Sequence, residues 1–123
     1  MTINRDGLRL KVTLRLEDGE HQRRFGPGVA ALLAEVRKHK SLRAAASSMG
    51  MAYSKAWRIV RSAEEAFGCK LLESTIGGRH GGGAVLTPEA EALLEAYQSL
   101  RDEVDAYAQE QFRQRFQSLF PGP

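Results

Sequence analysis

The stretch that decides the fold runs from Ser41 to Phe67 and reads SLRAAASSMGMAYSKAWRIVRSAEEAF. Ser41 is a favourable N-cap for a first short helix, and Gly50 is the residue type expected where that helix stops with a positive φ. A second helix follows, and one of its sides is apolar and predicts a core face: Ala56, Ile59, Val60, Ala63 and Phe67. Two short helices joined by a tight turn are the pattern of a helix-turn-helix.

The second helix of this pair, predicted over residues 54–67, carries polar and basic side chains away from its apolar side. Residues near the N-terminus of a recognition helix usually reach base edges in the major groove of DNA. Arginine suits bidentate contact with guanine, whereas serine and lysine more often hold phosphates. Ser54 is also a candidate N-cap, and Trp57 is expected in the core or at its edge. The candidate DNA contacts here are Tyr53, Ser54, Lys55, Arg58, Arg61 and Ser62.

The charge of the chain is distributed unevenly around a small net value of +3. Between Val36 and Ala63 there are seven basic residues and no acidic one, whereas Glu64 to Glu110 holds ten acidic residues against three basic ones. A local positive field attracts phosphates whatever the global charge is. The alternative is an ordinary solvated face, but the basic block coincides with the helix-turn-helix pattern. We therefore favour a nucleic-acid interface and include Arg43, on the first helix of the pair, among its candidate contacts.

Length and composition bound the class of protein. A chain of 123 residues with 42% hydrophobic and 27% charged residues predicts a single domain, residues 1–123, with a modest core. No apolar run approaches a membrane span, and the N-terminus lacks the apolar region of a signal peptide. A single cysteine, Cys69, leaves no internal disulfide. We therefore expect a cytoplasmic protein without a membrane partner.

Catalytic and metal chemistry has little support in the sequence. Cys69 has no histidine nearby along the chain, and the three histidines are scattered without metal-ligand spacing. No pair of acidic residues stands out as a general acid and base. We expect no enzymatic activity, no catalytic residue, no metal and no cofactor.

An alternating segment precedes the helices. Residues 8–16, LRLKVTLRL, alternate apolar and polar side chains with period two, which predicts a half-buried strand. An Asp-Gly turn in residues 17–20 and a weak partner strand in residues 21–25 extend this to a strand or hairpin over residues 8–25. Because a lone hairpin is only marginally stable, its leucines need a sheet or a second subunit to cover them. The basic face of the strand could touch phosphate, but we favour an ordinary solvated face.

A glycine-rich hairpin is predicted after the second helix. Short strands at residues 70–74 and 84–86 flank the loop TIGGRHGGG, which predicts a wing over residues 71–86 and a winged helix-turn-helix over residues 27–86. Arg79 and His80 in this loop could follow the DNA backbone or enter a minor groove. The alternatives are a hairpin tip without a ligand and a nucleotide phosphate loop. The second is weak, because the Lys-Ser/Thr ending of a P-loop is missing.

The last helix is predicted over residues 88–117, with Thr87 as its N-cap. At 1.5 Å per residue it would be about 40 Å long, too long for so small a domain to cover. A projecting helix with a heptad-like seam usually pairs with a copy of itself, although it could also fold back on its own domain. The predicted dimerisation residues are Leu93, Tyr97, Leu100, Val104 and Tyr107. The expected fold class is mostly α with a small β component.

These motifs together resemble those of the N-terminal DNA-binding domain of the ModE-type molybdate-responsive bacterial regulators, whose helix-turn-helix looks LysR-like. The resemblance is carried by Tyr53, Ala56 and Trp57 and by residues 77–87, GGRHGGGAVLT. It covers about residues 8–107 and implies the same order of strand, helices, wing and dimerising helix, together with DNA binding. Full-length members of the family carry C-terminal molybdate-sensing domains. The chain ends before any such domain, so we expect a stand-alone version without bound molybdate.

The leading functional hypothesis is a homodimeric, sequence-specific transcriptional regulator that binds double-stranded DNA. The recognition helix would enter the major groove, and the wing would lie on flanking backbone or in the minor groove. The alternative is a winged-helix interaction module that presents the same basic face to an acidic protein. Salt separates the two, because the duplex affinity of a DNA-binding protein falls steeply as salt rises.

Overall fold

The computed structural model describes residues 8–75 and 83–119. Within these ranges the chain forms four helices and two antiparallel hairpins, so the predicted fold class, a mostly α winged helix-turn-helix with a long last helix, is confirmed. The elements in chain order are β1 (Leu16–Glu17), β2 (Arg23–Phe25), α1 (Pro27–His39), α2 (Leu42–Ser48), α3 (Tyr53–Phe67), β3 (Leu72–Thr75), β4 (Gly83–Leu86) and α4 (Pro88–Gln117).

The first three helices pack around a core of leucine, valine and alanine side chains. The hydroxyl of Ser41 accepts a hydrogen bond from the Ala44 amide at 3.0 Å, which caps α2 as expected. The turn before α3 passes through Gly50 at φ 65°, a left-handed conformation that favours glycine. Because the buried residues of α2 include two alanines, α3 can cross it closely. The shared core residues are Leu32, Val36, Leu42, Ala45, Ala46, Ala56 and Val60.

A second core cluster attaches the first hairpin and the start of α4 to these helices. Phe25, at the end of β2, is buried between the rings of Phe67 and Tyr97. Both rings meet it edge-on, with centroids 5.9 and 5.1 Å away. Each such aromatic pair contributes about 0.5–1.5 kcal/mol beyond burial of its area. Phe25 therefore holds β2 against both α3 and α4.

The predicted strand over residues 8–16 is wrong for most of its length. Only Leu16–Glu17 pairs with Arg23–Phe25, and residues 8–15 lie outside any strand. They run instead along α4, where the Leu14 carbonyl accepts from the Tyr97 hydroxyl at 2.9 Å and the Leu10 carbonyl accepts from the Gln109 amide. Alternation describes which side chains share a face, but strand pairing also requires a neighbouring backbone ladder, and the short β2 supplies one only near Leu16.

The wing strands pair in the expected place, after α3. Leu72 to Thr75 face Leu86 to Gly83 in an antiparallel register. Strand β4 of this hairpin is tied to the helices, because the Ala84 amide donates to the Lys40 carbonyl at 3.0 Å. The predicted wing tip, including Arg79 and His80, lies outside the described residues.

Helix α4 begins at a buried cap and soon leaves the core. The Thr87 hydroxyl accepts from the Ala90 amide at 3.1 Å and donates to the Lys70 carbonyl at 2.8 Å. The thirty residues of the helix extend over about 45 Å, yet the buried ones, Ala90, Leu94 and Tyr97, all lie near its start.

The predicted dimer seam along α4 needs one correction. Tyr97 is only 6% exposed and packs on Phe25 with its hydroxyl bonded to the Leu14 carbonyl, so it belongs to the core of its own chain. The spacing of apolar residues along α4 could not separate Tyr97 from the seam, because Phe25 and Leu14, which pack on Tyr97, lie near the N-terminus of the chain. Of the other predicted seam residues, Leu100 and Tyr107 are 52% and 67% exposed, while Leu93 and Val104 are half-buried.

Candidate nucleic-acid interface

Helix α3 presents a basic face directly opposite its buried side. Ala56, Val60 and Ala63 are buried against the other helices. At 100° per residue, the direction opposite these alanines and the valine falls at Arg58. Arg58 also borders both clefts that flank the helix, so it stands on the ridge between them. The exposed residues of this face are Ser54, Lys55, Arg58 and Arg61, with Glu65 towards the end of the helix.

One flank of α3 is an aromatic and basic stripe that continues onto α2. The Arg43 guanidinium lies 4.2 Å from the centroid of the Tyr53 ring. The rings of Tyr53 and Trp57 meet edge-on with their centroids 6.3 Å apart, and the Arg61 guanidinium lies 5.6 Å from the Trp57 centroid. Cation–π contacts of this kind orient a guanidinium without neutralising it. The stripe therefore holds two arginines in place while their charge stays available.

Trp57 corrects one expectation from the sequence. The sequence predicts it in the core or at its edge, but the structure places it 38% exposed on the stripe between Tyr53 and Arg61. The signal is present in the periodicity, because Tyr53, Trp57 and Arg61 follow one another at i, i+4 and i+8. That row lies beside the core row of Ala56 and Val60 rather than within it.

The other flank of α3 carries the β1–β2 hairpin, which Arg24 fastens to the helix. The Arg24 guanidinium donates to Asp18 at 2.8 Å and to the Ser62 hydroxyl at 3.0 Å, and it lies 3.6 Å from Glu65. Ser62, a predicted DNA contact, is thus already the acceptor of a hydrogen bond within the protein. Hydrogen bonds from the Gln22 and Glu20 amides, with a smaller contribution from Arg24, lower the pKa of the Asp18 carboxyl. Asp18 therefore stays ionised and orders the hairpin turn.

The start of α3 differs from the prediction at Ser54. The N-cap is Ala52, which makes no side-chain capping bond, and Ser54 lies exposed in the first turn of the helix. Helix α3 begins at Tyr53, one residue before its predicted start at Ser54. The Ser54 hydroxyl is therefore not used as a cap.

The basic side chains of this face remain available for a polyanion. Among residues 8–75 and 83–119, none of Arg43, Lys55, Arg58 and Arg61 has a carboxylate oxygen within 4.0 Å. Elsewhere in those ranges arginines do pair, as Arg37 does with Glu91 at 3.1 Å. Ion pairs with carboxylates would have weakened the positive field that attracts phosphates, but the basic side chains of this face keep their charge.

The predicted contacts therefore separate into groups. Seven of them lie together on α2 and α3: Arg43, Tyr53, Ser54, Lys55, Arg58, Arg61 and Ser62. The other two, Arg79 and His80, fall in the undescribed wing tip.

In the part of the chain that the structure covers, no group of three or more His, Cys, Asp or Glu residues could hold a metal ion. Nor does any helix in that part combine the length and the apolar character needed to cross a membrane.

A helix-turn-helix with an exposed basic second helix, followed by a wing, defines a DNA-binding transcriptional regulator of the winged class. Residues 30–91, half of the chain, match the family described as bacterial regulatory helix-turn-helix protein, lysR family. The chain therefore belongs to the lysR family of bacterial helix-turn-helix regulators.

Three curated proteins are similar to part of the chain. The molybdenum-pterin-binding protein MopB of Rhodobacter capsulatus is 39% identical over 74 residues, 60% of this chain and 27% of MopB. The molybdenum transport protein ModE of Herbaspirillum seropedicae is 38% identical over 71 residues, 58% of this chain and 26% of that protein. The transcriptional regulator ModE of Haemophilus influenzae is 35% identical over 74 residues, 60% of this chain and 29% of its own length. The chain thus matches about a quarter of these relatives, and the resemblance expected from the sequence is confirmed.

Proposed function

We propose that this protein is a sequence-specific regulator that binds double-stranded DNA as a homodimer, with α3 in the major groove. The observation that carries the proposal is the basic face of α2 and α3. Its four cations, Arg43, Lys55, Arg58 and Arg61, have no carboxylate partner within the described residues. An α-helix about 10–12 Å across fits the major groove of B-DNA, which is about 12 Å wide.

Arg58 is the side chain best placed to read a base. It occupies the centre of the outward face, so it would point to the floor of the groove when the helix lies along it. Lys55 and Ser54 lie in the first two turns, the part of a recognition helix that usually approaches bases. Arg43 and Arg61 lie on one flank, where the phosphate ridge would run.

Dimerisation would place two such helices on one site. Beyond Tyr97, α4 leaves an apolar row exposed, with Leu100 and Tyr107 one heptad apart. Leu8, Leu10 and Val12 are also partly exposed on the segment that runs beside α4. Burial of this surface in a two-fold interface would set two copies of α3 about 34 Å apart, one turn of DNA, on a pseudo-palindromic operator.

The proposal also assigns a DNA contact to the wing. We infer that the wing lies on the flanking backbone or minor groove, because its strands β3 and β4 directly follow α3 and β4 is hydrogen-bonded to the Lys40 carbonyl.

The printed names of MopB and of the Herbaspirillum protein refer to molybdenum, but the matched segment is about a quarter of each. We propose that this segment carries the DNA-binding role and that it does so without bound molybdate.

The experiment that tests this function is selection of duplexes bound by the purified protein from a random pool. We expect an enriched site with two inverted half-sites whose centres are about 10 base pairs apart. Affinity for that site should fall steeply between about 50 and 200 mM salt. If no duplex is retained even at low salt, the proposal is wrong, and an acidic protein partner becomes the better explanation of the basic face.

A further inference from the structure

We propose that the β1–β2 hairpin, together with Arg15 directly before β1, is a second DNA-binding element, which holds a backbone phosphate beside the recognition helix through Arg15 and Arg23. This inference rests on the proposed function, because it takes α3 to lie in the major groove. It adds a contact from a hairpin that precedes α3 in the chain by two helices.

The two arginines line a groove between the hairpin, the first turn of α1 and one flank of α3. The groove has a volume of about 640 Å³, and its α3 wall carries Lys55 and Arg58. Cations from two elements that are distant in sequence thus meet around one concave surface. Clefts lined by one sign of charge concentrate the field and attract the opposite charge more strongly than a flat surface does.

The carboxylates near this groove are already engaged or remain at a distance. Asp18 and Glu65 both pair with Arg24, at 2.8 and 3.6 Å. Glu17 faces Arg23 in the hairpin register. Even so, within the two described ranges no carboxylate oxygen comes within 4.0 Å of Arg15 or Arg23. Both arginines are exposed and keep their charge for a phosphate.

Two packing contacts fix the position of these arginines relative to α3. The stem of Arg15 lies so close to the backbone of Gly26 that a Cβ there would come within 3.1 Å of Arg15 Cγ. The hydrogen bond from Arg24 to Ser62 ties the hairpin to the recognition helix. A phosphate contact from a pre-positioned arginine costs less conformational entropy than one from a free side chain. The first turn of α1 carries no acidic residue, and its N-terminal dipole adds to the positive field.

The placement also matches the shape of DNA. A helix that fills the major groove has one phosphate ridge on each side, so the elements that flank it face the two strands. Arg43 and Arg61 occupy the α2 flank, and the hairpin occupies the opposite flank. Arg15 and Arg23 would therefore contact the strand that Arg43 does not reach.

The test compares three forms of the full chain on the selected operator and on random duplex: wild type, the double variant Arg15→Ala/Arg23→Ala, and a matched control. The control is Lys70→Ala/Arg115→Ala, which removes two exposed positive charges outside the groove. For the Arg15/Arg23 variant we expect roughly a tenfold weaker affinity on both duplexes. We also expect a salt slope that is smaller by about 0.9 for each phosphate that the variant no longer neutralises, with an unchanged ratio of specific to random binding.

Phosphate ethylation then locates the contact. In wild type, ethylation of particular phosphates beside each half-site should block binding, and the Arg15/Arg23 variant should lose sensitivity at those phosphates alone. Unchanged affinity, salt slope and ethylation pattern in the variant would overturn the inference while wild-type binding keeps the proposed function. Absence of wild-type duplex binding would overturn both. If the variant binds both duplexes as wild type does, while inorganic phosphate alone raises the Tm of wild type but not of the variant, the groove is a small-anion site and the DNA assignment is wrong.

Discussion

The Arg58 side chain shows how one residue acquires a role from its neighbours. The wall of buried Ala56, Val60 and Ala63 determines which side of α3 faces inward. Arg58 lies opposite that wall, and the clefts on both sides leave its guanidinium free to extend. Its nearest acidic neighbour along the outward face, Glu65, pairs with Arg24 instead. The result is an arginine with charge, reach and a central position.

For Arg58→Ala we expect specific binding to weaken by about 1–3 kcal/mol, because the variant cannot make a bidentate contact with a guanine edge. Affinity for random duplex should fall much less, since phosphates carry no sequence information. Fluorescence anisotropy titrations on the selected operator and on random duplex, at one fixed salt concentration, measure both quantities. Arg115→Ala, an exposed arginine near the end of α4, is the matched control. Equal losses on both duplexes would leave Arg58 with a phosphate contact only.

Ser62 illustrates what sequence could not show at this scale. On a helical projection it lies on the outward side of α3, which predicts a DNA contact together with Arg61. In the folded chain its hydroxyl accepts from Arg24, a residue 38 positions earlier. The contact arises from tertiary packing of the hairpin, and no local pattern encodes it. Ser62 therefore serves at least to position the hairpin.

At the scale of elements, the wing depends on a close approach at the Thr75–Gly83 pair, the last pair of its ladder before residues 76–82. Gly83 opens β4 beside the connection between α1 and α2. A Cβ at this position would clash with the Thr75 hydroxyl oxygen and would lie 3.0 Å from the Lys40 carbonyl oxygen. A threonine side chain can rotate away, but a backbone carbonyl that also accepts from Ala84 has little freedom. Glycine is thus required here by space rather than by φ.

We expect Gly83→Ala to lower the free energy of unfolding by about 1–3 kcal/mol, the range typical of overpacking at a well-packed site. Thermal or urea unfolding followed by circular dichroism measures the loss. Adding Thr75→Ala should recover only part of it, because the Lys40 contact remains. Gly28→Ala is the control, since a Cβ there meets nothing within 4 Å in the described structure. A Gly83→Ala protein as stable as wild type would show that this end of the wing ladder is not closely packed.

The predictability of the elements follows the range of the interactions that build them. The cap at Ser41, the turn at Gly50 and the start of α4 at Thr87 are each formed within a few residues, so local chemistry indicates them correctly. The alternation of segment 8–15 does not give a strand, because a strand requires a partner ladder from elsewhere in the chain. The place of Arg15 and Arg23 beside α3 could not be predicted from the sequence for the same reason, since only the folded chain brings them there.

At the scale of the whole molecule, the proposed two-fold assembly depends on the exposed part of α4. Leu93, Leu100 and Tyr107 recur at intervals of seven, and Val104 falls between them. Tyr97, which would complete the heptad pattern, is instead committed to the protomer core through Phe25 and Leu14. The exposed seam therefore begins at Leu100, where the helix leaves the head. This geometry would join two heads at a distance and leave both α3 faces open.

For Leu100→Glu/Tyr107→Glu we expect a folded monomer, because both side chains are exposed in the protomer and charge in a helix seam opposes pairing. Sedimentation velocity should show the change in mass, and the circular dichroism spectrum should stay helical. Affinity for the two-half-site operator should fall by about 10²–10⁴, the usual gain from linking two binding modules, whereas affinity for a single half-site should not change. Ala106→Glu, which lies exposed to one side of the seam, controls for the added charge. A variant that remains dimeric would place the interface elsewhere. A monomer that retained full operator affinity would show that the two recognition helices do not act together, and the two-fold part of the proposal would then be wrong.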